Sequence, residues 1–324
     1  QETTVKWYID DHMVSESKQY IPDESALEKW ITAKAYVGNE QIGEDKFYFS
    51  KLPVIYINTD DSAPITTKET YVSADMFVQG NKQYDMQYNG RTQIKLRGNI
   101  STSFEQKPYK LKLEQSTDMF GFGKNKHWVL LSNYVDQCSL RNKISTELGE
   151  KLGVCSMKAT QVDVIINGEF AGMYNFFEQI RVANTRVNIK NWDDIAKEIA
   201  AGIYDANKGT YDKTDKKNME EELGADLSWV TSKKYCYQDT EYNIEDYCKT
   251  SLDISGGYLF EMSEEYDEVS KFTTSNGTKV MLKSPENLYT NESMMDYVKA
   301  YWNDVEEALS SQDGYNTKGQ NYKE

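Results

Sequence analysis

The sequence predicts an α+β fold in which strands dominate the first half and helices enter later. Three observations carry that reading. Much of residues 4–180 consists of short runs in which apolar and polar side chains alternate, the period of a half-buried strand. Turn signals punctuate these runs, with Asn167-Gly168 and Asn276-Gly277 the clearest hairpin turns. Residues 292–311, ESMMDYVKAYWNDVEEALSS, instead place Met294, Val298, Trp302 and Val305 on one helical stripe.

Residues 4–10 alternate as a strand, a polar connection leads on to residue 30, and 31–39 and 44–50 read as two more strands joined by a Gly-bearing turn. Trp7, the Tyr20-Ile21-Pro22 step and the later hairpin suggest the second half of an immunoglobulin-like β-sandwich, so residues 1–51 are expected to be a partial domain of that kind. Either the chain begins inside such a domain, or these strands form a smaller sheet that packs on the segment after residue 51. From residue 52 the pattern restarts as a second domain, expected to run to 324. VIYINTD at 54–60 is an unbroken apolar run that suits a strand buried on both faces, and 69–90 supplies two or three more strands.

Residues 91–114 read as a hairpin. Ile94, Leu96, Tyr109, Leu111 and Leu113 fall on one face, which leaves Gln93, Lys95, Arg97, Lys110 and Lys112 on the other. From Arg91 to Lys126 there are eight Lys or Arg against three acids, a local net of +5 inside a chain of net charge -15. The patch is a candidate anion site, and the alternative is a solvated basic face. The acidic balance of the whole chain argues against broad nucleic-acid binding.

In FGFGKNKHWVLLSNY, at 120–134, a turn containing Gly121 and Gly123 precedes a buried strand. A phosphate cradle there rests on a lone GxG, and a plain turn explains it as well. Asp136 is placed to cap a helix over 138–152, with Leu140, Ile144, Leu148 and Leu152 as its inner stripe, Gly153 as its stop and Arg141 as a brace. Glu147 and Glu150 lie on the same helix, and spacing does not say whether either faces the lysines. A hairpin about Asn167-Gly168 ends at Glu178-Gln179-Ile180. Residues 191–250 are polar and helical in parts, 256–263 is a strand, and 271–285 turns at Asn276-Gly277 before the helix at 292–311. A polar tail closes the chain.

Of four cysteines, Cys138 and Cys155 are held apart by the intervening helix, whereas Cys236 and Cys248 bracket a polar loop that a bridge could staple. That bridge would imply an oxidising, extracytoplasmic setting. Asn99, Asn276 and Asn291 begin glycosylation sequons. With only His12 and His127 and no CxxC, a structural zinc site is not expected. No apolar run is long enough to span a bilayer, and no signal peptide is visible, although the chain starts at Gln1.

Several stretches in sequence resemble the CotH family, the spore coat protein H kinases. They are LRGN at 96–99 and KPYKLKL at 107–113, then KHWVLLSNY at 126–134 and SLRNK at 139–143, then VDVIINGEFAGMYNFFEQI at 162–180 with RVNI at 186–189, and finally GGYLFE at 256–261 and LKSPE at 282–286. The resemblance implies an atypical protein-kinase-like fold, with a mixed or antiparallel sheet and helices, that uses ATP and magnesium. It makes Arg97, Lys107, Lys110 and Lys112 the cations retained for ATP phosphates. It also makes Phe177–Ile180 the hinge whose backbone pairs with adenine, with Glu178 in the nucleotide site. Here Ile100 follows Asn99 where the family reads Arg-Gly-Asn-Ser-Thr, which puts the turn hydroxyls in doubt as phosphate donors. The family's catalytic Asp, metal-binding Asn and final Trp-Asp-x-Asp are not found in this chain, so no residue is assigned as catalytic or as a metal ligand. The expectation is an extracellular, kinase-like domain that in intact form phosphorylates protein Ser or Thr, this chain binding nucleotide without completing catalysis. The other reading is a non-catalytic surface or adhesion scaffold with a protein partner.

Overall fold

In the computed structural model, which describes residues 3–321, the chain begins with one antiparallel sheet. Its strands are β1 (Thr3–Ile9), β2 (His12–Ser15), β3 (Lys29–Val37) and β4 (Glu40–Phe49), in the order β2-β1-β3-β4. β2 lies inside the segment expected to be a polar connection. Asp10 and Asp11 take positive φ of 48° and 64°, a left-handed turn that Asp tolerates and that folds the chain back on β1. Ile9, Ala26 and Ile31 form a small core with Trp7, Tyr20, Phe47 and Phe49. Tyr48 and Trp30 cluster instead with Val54, Tyr56 and Ile165, so the sheet packs on the next element of the chain.

That element is a closed barrel. Its strands are β5 (Val54–Thr59), β6 (Val72–Gln79), β7 (Gln87–Leu96), β8 (Tyr109–Asp118), β9 (Lys124–Ser132), β10 (Ala159–Ile166) and β11 (Glu169–Glu178), with α1 (Arg141–Lys151) between β9 and β10. The order is β10-β11-β9-β8-β7-β6-β5, and a parallel pairing of β10 with β5 shuts it. All other neighbours are antiparallel. The alternation seen in the sequence fills the interior: Ile55, Ile57, Met76, Ile94, Leu111, Trp128, Val162 and Phe176 all point there. Burying each such side chain stabilises the fold by about 1.5–3 kcal/mol. Asn167 and Gly168 turn the β10–β11 hairpin with φ of 51° and 82°, both positive as a two-residue loop of the type I′ kind requires. The Asn167 side chain then accepts from the Thr59 amide at 2.8 Å and pins this hairpin to β5.

α1 corrects one expectation. It begins at Arg141, and its stripe of Leu140, Ile144, Leu148 and Leu152 faces solvent; no residue of the helix is buried. Among the described residues the barrel's interior core draws on no side chain of α1. α1 is held at its start and midway along it instead. Asp136 Oδ2 accepts from the Arg141 amide at 2.9 Å and Oδ1 lies 3.5 Å from its guanidinium, so Asp136 braces the helix from outside the cap position. Gly153 ends the helix with φ of 74°, and Ser156 Oγ donates to the Thr146 carbonyl at 2.8 Å.

Contacts divide the chain into two units, Gln1–Gln179 and Ile180–Glu324. The second contains α2 (Trp192–Ala206), α3 (Lys213–Ala225), the single turn α4 (Trp229–Ser232), the hairpin β12 (Lys234–Tyr237) and β13 (Thr240–Asn243), and a sheet ordered β14-β16-β15. The strands of that sheet are β14 (Leu259–Glu261), β15 (Lys271–Thr273) and β16 (Lys279–Ser284), and α5 (Glu292–Ser310) comes after them. Trp192, Ile199, Met219, Leu223, Trp229, Leu282, Met294 and Val298 make its core. Side chains cap its helices: Asn191 on α2, an Asp212–Asp215 capping box on α3 and Asn291 on α5.

Two further expectations fail here. Cys236 and Cys248 are free thiols and form no bridge; Cys236 sits on β12 paired with Glu241, and Cys248 Sγ donates to the Thr250 carbonyl at 3.3 Å. The Asn291 sequon is blocked, because its buried side chain accepts from the Met294 amide and donates to the Leu227 carbonyl. Asn99 and Asn276 are exposed. The polar tail folds back through a Tyr315–Asn321 bridge, and its last three residues lie outside the described ones.

Candidate functional site

The hairpin formed by β7 and β8 has the expected inner and outer faces. Ile94 pairs with Leu111 and Leu96 with Tyr109 on the inner face, while Gln93 pairs with Lys112 and Lys95 with Lys110 on the outer one. All the outer side chains are half-buried. Directly opposed Cβ atoms in such a ladder are about 5 Å apart, so Lys95 and Lys110 repel each other, with Lys112 one diagonal step away. Arg97 lies just beyond the last pair, its amide bonded to the Pro108 carbonyl at 3.1 Å.

Sequence reading overlooked Tyr71, which precedes β6. The Lys95 ammonium lies 4.6 Å and that of Lys112 5.9 Å from its ring centre, so the aromatic face helps to hold both cations in place. No local pattern marks that residue, because the contact is made across strands. Beside the row is an open depression of about 330 Å³ whose lining includes Ser73, Arg91, Gln93, Lys112, Glu114 and Lys126.

Not every cation counted in the sequence contributes. Arg91 is bound by Asp60 at 2.7 and 2.8 Å and by Asp75 at 3.2 Å. Those hydrogen bonds hold the guanidinium above its ordinary range and draw the Asp60 carboxyl below its own. Lys107 stands apart from the row: its ammonium donates to the carbonyls of Thr102 at 2.9 Å and Phe104 at 2.6 Å, and so holds the β7–β8 connection in shape. The hydroxyls of that connection are also used internally. Thr102 Oγ1 donates to the Asn99 carbonyl and Ser103 Oγ to that of Ile100, each at 2.7 Å. Gln106 clamps the connection to the barrel, donating to the Met173 carbonyl and accepting from the Asn133 amide.

Glu178, at the end of β11, is buried, and its Oε2 accepts from the Lys158 amide at 2.8 Å, tying β11 to the chain entering β10. The chain passes from the first unit to the second directly after it, between Gln179 and Ile180. Gly121 and Gly123 form a plain turn: both have positive φ, and the Gly123 amide donates to Asp118 at 3.0 Å. Glu147 pairs with Lys143 at 2.6 Å on the surface of α1. Among the described residues no three His, Cys, Asp or Glu side chains gather to hold a metal ion, and no helix is long and apolar enough to cross a membrane.

A family model described as CotH kinase protein matches residues 94–256, just over half of the chain. The match begins on β7, takes in the whole cationic face of β8 and runs through the second unit's first helices. No curated protein matches the chain.

Proposed function

Since the chain belongs to the CotH kinase protein family, we propose that it is a domain of kinase-like fold that takes ATP, with Lys110, Lys112 and Arg97 on the nucleotide's phosphates. The observation that carries this reading is the opposed pair of Lys95 and Lys110 with Lys112 beside it. A polyphosphate supplies several negative charges within the few ångströms over which those ammonium groups are spread, and charge-assisted hydrogen bonds to phosphate are the strong kind. Tyr71 keeps Lys95 and Lys112 on this face. Arg97 offers a planar fork where the lysines offer point charges.

The reaction proposed for the intact form of such a domain is transfer of the γ-phosphoryl group to a protein Ser or Thr hydroxyl, as in other kinases, with this chain supplying nucleotide binding and not the catalytic residues. Magnesium in such sites takes one or two carboxylates and fills its shell with phosphate oxygens and water, so it needs no all-protein cage. The lysines and Arg97 contribute phosphate binding and orientation, and Lys107 with Gln106 fixes the connection that carries Arg97. Calorimetric titration with ATP and magnesium tests the reading. Wild type binds; Lys110→Ala and Arg97→Ala each weaken affinity by about tenfold, the equivalent of ~1.4 kcal/mol for a lost charge-assisted contact. Affinities equal to wild type, or no binding by wild type, would overturn it.

A further inference from the structure

The cationic row continues past the hairpin onto β9. His127 is the cross-strand partner of Lys112, whose partner on the other side is Gln93, with Ser73 beyond it on β6. Directly opposed residues of a ladder point to the same face, and Trp128, the next residue of β9, is fully buried in the barrel. The imidazole of His127 therefore stands on the outer face, its Cβ about 5 Å from that of Lys112. Asn125 sets its place: Oδ1 of Asn125 accepts from the His127 amide at 3.0 Å, and its carbonyl from the Trp128 indole at 3.1 Å. Just past the pair the ladder is irregular, because Lys112 to Thr117 on β8 spans five steps while His127 to Asn125 on β9 spans two. A bulge of this kind re-aims side chains, and beside it lies the open depression lined by Lys112, Glu114 and Lys126.

The charged groups around His127 decide what it can do. On β8 are Lys112 and, one diagonal step away, Lys110, while Glu114 lies within the bulge. Lys124 and Lys126 precede it on β9, and Lys124 is paired with Asp118. On the other side β11 ends at Glu178, paired with Trp128, and that carboxylate already accepts from the Lys158 amide. A further positive charge beside Lys112 is disfavoured until an anion arrives, and a polyphosphate brings several negative charges. Histidine is the side chain that can supply such a charge near neutral pH and withdraw it again. We propose that His127 is a further phosphate-binding side chain of this site, one that takes up a proton as ATP binds and so makes affinity greater at acid pH. The proposal rests on the ATP reading of the same face. Its sign follows from linkage: if ATP favours the imidazolium, protons favour the ATP complex by the same factor.

His12 and His127 are the chain's two histidines, so NMR can follow both ring signals through a pH series, with and without ATP and magnesium. His12→Gln, at the exposed position on β2, assigns the signals without altering the site. The titration midpoint of His127 in wild type is expected to rise when ATP is present, by up to about one pH unit. That of His12, whose Nδ1 meets the Asp10 carbonyl at 2.8 Å, is expected to stay unchanged. Calorimetric titration with ATP and magnesium gives a second readout. From about pH 8 to about pH 6, the affinity of wild type relative to His127→Gln is expected to rise about fivefold to tenfold, a ratio in which the titration of ATP itself cancels. His127→Lys carries a fixed charge, and its ratio to His127→Gln is expected to be high at both ends of that range. A wild type that binds ATP with the His127 midpoint unmoved, or that responds to pH as His127→Gln does, overturns the proposal and leaves the ATP reading standing. A wild type that binds no ATP overturns that reading and the role of His127 together.

Discussion

Asp163 shows how one residue can betray where two elements meet. It lies on β10, opposite Val54 across the parallel closure of the barrel, and its side chain is buried. Burial raises its carboxyl above the ordinary range; a bond from Ser50 opposes that shift and the charge of Glu28 adds to it. A folded-state value above the unfolded one means that the native state holds the proton more tightly. The favourable contribution is complete below the unfolded carboxyl value and is lost as pH rises through the folded one. At neutral pH the buried charge therefore destabilises. Asp163→Asn is expected to raise the melting temperature at pH 7, and thermal melts from pH 3.5 to 7 should show its advantage over wild type shrinking as the pH falls. A constant difference across that range would place the cause in packing and not in ionisation. Asn291 is the opposite case at this scale: its role in capping α5 and in binding the Leu227 carbonyl uses up the side chain that its sequon offered as a glycan acceptor.

Among elements, the β7–β8 hairpin was legible from the sequence to the level of which side chains face in and which face out, because its signal is local: inner and outer side chains alternate along two strands joined by one connection. Lys107 belongs to the same stretch yet has a different job, which no alternation rule could have separated from that of Lys110. Its two backbone acceptors, Thr102 and Phe104, lie in the connection that only the folded chain brings around the ammonium. Lys107→Met is accordingly expected to leave those carbonyls without their charged donor and to cost about 1–3 kcal/mol of stability, read by chemical denaturation. Its effect on ATP affinity should be smaller than that of Lys110→Ala; the reverse ranking would return Lys107 to the phosphate row. α1 was legible in a different sense. Its helical period and its Gly153 stop were readable, but what an apolar stripe faces is set by elements far away in sequence. Helices beside sheets usually bury one face, which points such a stripe inward, whereas here the strands' own side chains fill the barrel core. Closure itself was hidden, since the pairing of β10 with β5 joins segments about a hundred residues apart and leaves no local mark beyond the apolar richness of both strands. The Cys236–Cys248 bridge failed for the same kind of reason: two cysteines flanking a loop satisfy a spacing rule, while β12 and β13 place Cys236 against Glu241.

For the whole molecule, the division after Gln179 is mirrored in the cores. The barrel cluster draws on residues from Ile55 to Phe176, and the largest cluster of the second unit on residues from Trp192 to Val298. Each unit has enough residues to fold around its own core, since domains of this size bury most of the surface their unfolded chains expose. Leu111 and Leu282 are both fully buried, one in each core. Truncating either to Ala removes a large side chain and leaves a cavity, at a cost of about 2–5 kcal/mol to its own unit. A domain of 150–250 residues loses roughly 2–4 °C of melting temperature per kcal/mol, and slightly more when smaller, so each shift is on the order of 5–15 °C. Scanning calorimetry is expected to resolve two transitions, with Leu111→Ala lowering only the one that belongs to the barrel and Leu282→Ala only the other. ATP with magnesium should raise the barrel transition through mass action on the folded state. That rise should be absent in Lys110→Ala at the same nucleotide concentration, which links the residue-scale claim about phosphate binding to the stability of a whole unit. A single transition displaced as a whole by either truncation would show that the two cores unfold as one.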